Sequence, residues 1–349
     1  MKKMWKGNHA LAEAAVRAGC EFYSGYPITP QTEVMEYLST RLPELERTFI
    51  QAENEISAIN MIFGAYACGM RSMTSSSGPG ISLKQEGISY LCANAFPAVI
   101  ANVQRWGAGL GSLDSSQCDY LRETRGGGNG DYRVIVYVPN TIQEMIDLTY
   151  ESFDISEKYR NPVEILSEAA LGQMMEPVEF PEFKERKDDL GWTFDGTNRD
   201  HDRVPAPLRP KLYKEKYEMI AENEQRWESE GLEDAEYVFV SIGLASRTTK
   251  NAVKRLRARG EKVGFIRPIT AWPFPFKAFD SLPGSVKGFM SVENNDAGQL
   301  VEDVALAAKK MLDSNIPVYG LFTGQKIPKT MDIVEEYDKL LAGQLKEVF

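Results

Sequence analysis

The sequence is poor in the residues that hold metals and clusters. Its 349 residues include four cysteines and two histidines. Cys20, Cys68, Cys92 and Cys118 are scattered, and none forms a Cys-x-x-Cys pair. That excludes an iron–sulfur cluster held by this chain alone. His9 and His201 lie too far apart in sequence for a histidine-rich metal site, so the chain is assigned no metal ligands. No apolar run approaches the ~20 residues that cross a bilayer, so no membrane span is expected. The net charge of −10 argues against nucleic-acid binding as a main activity. The opening "MKKMWKGNHALAEAA" is positive but lacks the apolar core of a signal peptide, and a cytoplasmic protein is expected. Any redox centre must then be a bound organic cofactor or lie on a partner.

What is present is alternation. The 43% hydrophobic content suits a globular protein with a sizeable core, and the length allows two domains of roughly 150 residues each. In residues 7–170 helical patterns alternate with strand patterns. "GNHALAEAAVRAG" spaces Ala10, Leu11, Ala14, Ala15 and Ala18 as a helix that Gly19 stops. "EFYSG", "TFIQA", "RSMTSS", "PAVIANVQ", "YRVIVYVP" and "NPVEILS" read as strands. "EISAINMIFGAYACG" reads as an apolar, buried helix, and "ISLKQEGISYLCANA" and "TIQEMIDLTYESFDISEKY" as further helices. This alternation predicts an α/β fold with a parallel sheet covered on both faces. The pattern breaks over 171–235, a charged, proline-containing linker with a helix expected from Lys211 to Glu230. A second α/β unit is expected over 236–349, from "YVFVSIG" onward.

Function in parallel sheets gathers at the carboxyl ends of the strands. "GYPITP", "QAENE", "SSSGPG" and "QRWGAG" all fall there. In "GYPITPQTE", Pro30 keeps Thr29 out of the helical region and Pro27 fixes the chain two residues earlier. A plain strand-to-helix turn explains a lone Pro-x-x-Pro equally well. Glu55 has an equally plain reading, because acids are favoured in first helical turns.

Together, "GYPITP", a Glu nine residues before "GA", "SSSGPGISL" and "NVQRWGAGLG" carry a resemblance. The chain resembles the alpha subunit of the 2-oxoacid:ferredoxin oxidoreductases, and "IRPITAWPFP" and "VENNDAGQL" resemble that family's second domain. The resemblance implies a pyrimidine-binding thiamine diphosphate domain over 1–170 and a transketolase C-terminal-like α/β domain over 236–349. "YRNPVEILSEAALGQMMEPVEF" is similar to the branch acting on branched-chain 2-oxoacids. The implied activity is coenzyme A-dependent oxidative decarboxylation of a 2-oxoacid to acyl-CoA and CO2, with electrons passed to ferredoxin. The usual Gly-Asp-Gly diphosphate motif is missing. The chain is therefore expected to hold the pyrimidine half of thiamine diphosphate. A beta subunit would bring the diphosphate, Mg2+ and a [4Fe-4S] cluster, and a gamma subunit is expected as well.

By resemblance Glu55 bonds the pyrimidine nitrogen, which helps the cofactor lose its thiazolium proton; Glu53 is its competitor. Arg105 is expected to hold the substrate carboxylate with a bidentate fork, Thr29 to add a hydroxyl, and Trp106 to shape the side-chain pocket. Tyr26, Pro27, Ile28, Ser77 and Gly78 are expected at the cofactor. The run "KRLRAR" reads as a solvated helix face, or as a contact for coenzyme A phosphates. Three residues depart from the family pattern: Trp106, where a small residue is usual; Lys84, where many relatives are apolar; and Asn129, where His is usual. Lys84 could pair with a second substrate carboxylate or face solvent. Three alternatives stay open: a pyruvate- or 2-oxoglutarate-specific member, a non-redox thiamine diphosphate decarboxylase half, and a non-catalytic paralogue.

Overall fold

The computed structural model describes residues 2–184, 209–312 and 316–349. Its strands, in chain order, are β1 Lys3–Lys6, β2 Phe22–Gly25, β3 Thr48–Gln51, β4 Ser72–Ser76, β5 Ala98–Gln104, β6 Ile135–Tyr137 and β7 Pro162–Glu168. They continue as β8 Met175–Val178, β9 Trp227–Glu230, β10 Tyr237–Val240, β11 Val263–Pro268, β12 Thr270–Trp272, β13 Gly288–Glu293 and β14 Val318–Phe322. Seven form one sheet in the order β12-β6-β7-β5-β4-β2-β3. All its pairings are parallel except that of β12 with β6. Five form a second sheet, β14-β13-β10-β11-β9, parallel except for its edge strand β9.

Helices cover both faces of the first sheet. On one side lie Gly7–Arg17, Thr32–Glu44 and Ile142–Tyr159, packed through fully buried Ala10, Ala14, Leu38 and Phe153. The alanines let the first helix sit close to its neighbours. Helices Glu55–Ala67 and Pro79–Ala93 cover the other side. A single core joins Ile100, Val136 and Leu166 of this sheet to Val240, Ile266 and Phe289 of the second. Each large aliphatic or aromatic side chain so buried contributes about 1.5–3 kcal/mol.

Polar contacts stitch the two sheets together at the strand ends. Gln117 N–H donates to the Asn294 carbonyl at 2.7 Å, and Asn294 N–H donates back to Gln117 Oε1 at 3.0 Å. Tyr120 donates to Asp303 at 2.7 Å. Glu168, at the end of β7, accepts from Leu244 N–H at the start of helix Gly243–Ala258. Its burial pushes this carboxyl up to about 7.

Two sequence expectations need correction. The helix expected from Lys211 to Glu230 runs over Arg209–Asn223, and Trp227–Glu230 is a strand. Charge made "WESE" look helical, but at a sheet edge Glu228 pairs with Lys250 and with Arg267. Helix Glu55–Ala67 is apolar but not fully buried, with Ile56 and Met61 exposed. Of the segment expected as a linker, 171–235, residues 185–208 lie outside the described residues, while Met175–Val178 pairs with Lys3–Lys6.

Candidate functional site

The loop after β2 is held from below. Gln31 is fully buried; its amide donates to the Tyr26 carbonyl at 3.1 Å, and its Oε1 accepts from Ser75 at 2.5 Å. Tyr23 meets the same Ser75 hydroxyl at 2.6 Å, and Asn8 donates to the Pro30 carbonyl at 2.8 Å. These bonds fix a turn whose tip is exposed. Tyr26 and Thr29 face outward, Pro27 and Ile28 are half-buried, and the Thr29–Pro30 peptide is cis.

After β3 the chain turns into helix Glu55–Ala67. Asn54 caps it, its side chain accepting from Ser57 N–H at 2.8 Å. That entry turns Glu55 inward, where it is buried, and leaves Glu53 exposed. Among the described residues the Glu55 carboxyl has no hydrogen-bond partner.

After β4 comes the small-residue loop. Gly78 has φ +48°, a left-handed conformation that glycine alone adopts without strain, and it opens helix Pro79–Ala93. A β-carbon at Gly80 would lie 2.2 Å from Ser76 Oγ and 2.5 Å from Glu55 Oε1. Among the described residues the Ser76 and Ser77 hydroxyls are buried without partners. Lys84, one helical turn beyond Gly80, is fully buried and donates to Thr74 Oγ1 at 2.9 Å. Lys84 does not face solvent.

Arg105 and Trp106 follow β5. Arg105 is buried; Nη1 donates to the Thr29 carbonyl at 2.6 Å and Nη2 to the Leu110 carbonyl at 2.8 Å. Its Nε has no partner among the described residues and faces Gly78. Arg105 and Thr29 do meet, but through the threonine backbone. Trp106 Nε1 donates to Asp296 at 2.6 Å, which ties this loop to the second sheet's side. A cleft of about 930 Å³ opens there, lined by Gly78, Ser82, Trp106, Arg122, Asp296 and Gln299 among others. A second hollow of about 570 Å³ lies on the other side of Thr29, against Ala169 and Gln173. Asn129 is exposed, away from these groups, and accepts from Ser89 at 3.2 Å.

Sequence reasoning missed Gln31, Ser75, Ser76 and Arg122. Arg122 donates to the Gly78 carbonyl at 3.1 Å and to Ser82 at 3.0 Å, and it pairs with Asp119 and Glu123. Glu123 and Glu164 are buried together, and desolvation raises both carboxyls. Their only signal in the sequence is polarity inside otherwise apolar strand and helix patterns.

These residues fit the pyrimidine half of thiamine diphosphate. Two buried hydroxyls and the Arg105 Nε lack partners among the described residues, and a buried carboxyl lies with them beside glycines that keep side chains out. Among the described residues no group of three or more His, Cys, Asp or Glu side chains is placed to hold a metal ion.

Comparison with known proteins bears on this geometry. Residues 13–235 match the family model for the thiamine diphosphate-binding part of pyruvate flavodoxin/ferredoxin oxidoreductases. Residues 235–331 match core domain II of pyruvate:ferredoxin oxidoreductase. The chain is 46% identical over 316 residues to ketoisovalerate oxidoreductase subunit VorB of Methanothermobacter marburgensis, covering 88% of this chain and 90% of the relative. It is 35% identical over 344 residues to 2-oxoglutarate synthase subunit KorA of Methanocaldococcus jannaschii, covering 87% and 91%. A solved 2-oxoglutarate:ferredoxin oxidoreductase from Magnetococcus marinus, with 2-oxoglutarate, coenzyme A and succinyl-CoA bound, superposes with a TM-score of 0.85 at 26% identity. That match covers 97% of this chain, which spans only 65% of the solved one. A split-gene transketolase at 15% identity shares the fold, with a TM-score of 0.60.

Proposed function

This chain belongs to the 2-oxoacid:ferredoxin oxidoreductase family, and from that premise we propose that it is the alpha subunit of a complex decarboxylating a branched-chain 2-oxoacid. The products are the acyl-CoA and CO2, with electrons passing to ferredoxin. The observation that carries the reading is the inward Glu55 carboxyl, set against Gly80 close to the Ser76 and Ser77 hydroxyls, which are buried and, among the described residues, without partners. The branched-chain preference is supported by 46% identity to a ketoisovalerate oxidoreductase subunit against 35% to a 2-oxoglutarate synthase subunit.

When bound, thiamine diphosphate supplies the carbon nucleophile for the oxo carbon and stores the electrons released with CO2. This chain's share is to hold the ring and the substrate. Glu55 shares a proton with the pyrimidine nitrogen. Tyr26, Pro27, Ile28, Ser77 and Gly78 border the ring. Arg105, braced on the Thr29 and Leu110 carbonyls, would hold the substrate carboxylate through its remaining N–H groups, and Thr29 would add its hydroxyl. Trp106, fixed by Asp296, bounds the substrate side chain. We take 1–170 as the pyrimidine unit and 236–349 as the second unit.

A beta subunit supplies the diphosphate site, Mg2+ and a [4Fe-4S] cluster, with a gamma subunit beside it and ferredoxin as acceptor, all in the cytoplasm. An apolar face suits such a partner: Ile56 and Met61 on one helix and Leu83 and Tyr90 on the next are all exposed. The test is an assay of the whole complex with pyruvate, 3-methyl-2-oxobutanoate, 2-oxoglutarate and an aryl pyruvate, with and without coenzyme A. Acyl-CoA formation, fastest from 3-methyl-2-oxobutanoate, is expected. Aldehyde release without coenzyme A would mark a non-redox decarboxylase, and no turnover a non-catalytic paralogue.

A further inference from the structure

Glu293 ends β13 and is almost fully buried, at 1% exposure. Its Oε1 accepts from the Ser291 hydroxyl at 2.8 Å and Val301 N–H at 2.9 Å. Its Oε2 accepts from Asn295 Nδ2 at 2.8 Å, Gln299 N–H at 2.7 Å and Leu300 N–H at 2.9 Å. These donors offset the cost of burying the carboxyl, and they cap helix Leu300–Leu312. Asn295 Oδ1 accepts from Gly298 N–H at 2.8 Å, so the turn 293–299 closes on itself. From this fixed turn, side chains reach the chain that follows β5. Asn294 donates to the Ser115 carbonyl at 3.1 Å. Gln299 donates to the Cys118 carbonyl and accepts from Leu121 N–H, both at 2.8 Å. Asp296 accepts from Trp106 Nε1 at 2.6 Å.

The loop 106–114 depends on the last of these bonds. It folds back on itself, Trp106 N–H donating to the Asp114 carbonyl at 2.9 Å and Ser112 N–H to the Trp106 carbonyl at 2.8 Å. Little apolar packing holds it: Leu110 is 80% and Leu113 60% exposed, and the Trp106 ring joins none of the hydrophobic cores. Among the described residues, Trp106–Asp296 is the only hydrogen bond from this loop to the second sheet's side. A bond to a carboxylate is roughly twice as strong as one between neutral groups. Asp296 is itself aimed, because a β-carbon at Gly324 would lie 2.7 Å from its Oδ1.

We propose that the turn 293–299 is a specificity frame for the substrate pocket, and that Asp296 is its positioning residue, setting where the Trp106 ring stands. Held there, the ring closes the cleft to side chains larger than a branched aliphatic one. Released, it swings and admits bulkier 2-oxoacids. This rests on the reading of Trp106 as a wall of that pocket.

Two measurements test the proposal. The first needs no cofactor: NMR of the indole N–H signals of the five tryptophans in the full chain, with Trp106→Gly identifying the signal of Trp106. Asp296→Ala should move that signal to the position of a free indole N–H and leave the others in place, which also shows an intact fold. Asp296→Asn keeps an acceptor and should move it less. A Trp106 signal unmoved in Asp296→Ala would overturn the proposal. The second compares kcat/KM for an aryl pyruvate and for 3-methyl-2-oxobutanoate in the assembled complex. Asp296→Ala and Trp106→Gly should each raise the ratio of the first to the second about tenfold, the low end for one methylene of pocket space. Asp296→Asn should restore most of the wild-type ratio. The double variant should go no further than Trp106→Gly alone, because Asp296 acts through the ring. An equal loss for both substrates in Asp296→Ala, or an additive double variant, would overturn the proposal. If Trp106→Gly changes the ratio and Asp296→Ala does not, the proposal falls and the reading of Trp106 stands. If Trp106→Gly itself leaves the ratio unchanged, that reading fails, and this proposal with it.

Discussion

Gly80 is a glycine because Glu55 fills the space a side chain would need. A β-carbon there would sit 2.5 Å from Glu55 Oε1 and 2.2 Å from Ser76 Oγ. Both are side-chain ends, so the fold can yield without moving its backbone. Gly80→Ala should therefore cost little stability, about 1 kcal/mol or less, within the range of mild substitutions. It should nevertheless displace Glu55 and lower kcat at least tenfold. Parallel measurement of Tm and kcat in the complex checks this; a loss of Tm in proportion to the loss of rate would contradict it.

On the proposed reading Arg105 anchors the carboxylate common to all 2-oxoacids; Trp106, next in the chain, donates to Asp296. Arg105→Ala should depress kcat/KM for every substrate together, by roughly 2–5 kcal/mol, the cost of leaving a buried charge unpaired. Trp106→Gly should instead reorder the substrates toward bulkier side chains, at about 1–3 kcal/mol per methylene. The comparison is kcat/KM for the four 2-oxoacids in both variants. An unchanged order in Trp106→Gly removes the ring from the pocket.

Glu168 links the two sheets, and its carboxyl is raised from 4.5 to about 7 by burial. The folded chain holds a proton there that the unfolded chain releases. Its contribution is thus full below pH 4.5 and is lost as pH rises through 7, up to about 3 kcal/mol in all. Glu168→Gln keeps an acceptor for Leu244 N–H and cannot titrate. The stability of wild type relative to Glu168→Gln should fall between pH 5 and 8; curves that stay parallel would show that Glu168 does not titrate in that window.

Much of this was legible in the sequence, for physical reasons. Strand–helix alternation specifies a parallel sheet, and such a sheet puts its loops at one edge, so Thr29, Glu55, Ser77 and Arg105 could be grouped without coordinates. What stayed hidden depends on tertiary contact. Gln31 under Tyr26, Lys84 on Thr74, and the exchange between Gln117 and Asn294 join residues 5 to 177 positions apart. Local patterns mislead where burial is uneven. Lys84 reads as a surface cation inside "ISLKQE" yet is fully buried, and Ile56 reads as core yet is exposed.

The most direct test of the account is exchange of the C2 proton of thiamine diphosphate, followed by NMR. It should be recorded with this chain alone, with the assembled complex, and with complexes carrying Glu55→Gln or Glu53→Gln. The chain alone, colourless and lacking a diphosphate motif, should bind the cofactor weakly and leave the proton exchanging at its free-solution rate. The complex should speed exchange greatly. Glu55→Gln should remove nearly all of that gain in an intact complex, while Glu53→Gln, at an exposed position, should keep most of it. Fast exchange in the Glu55→Gln complex, or tight binding of thiamine diphosphate and Mg2+ by the single chain, would contradict the account.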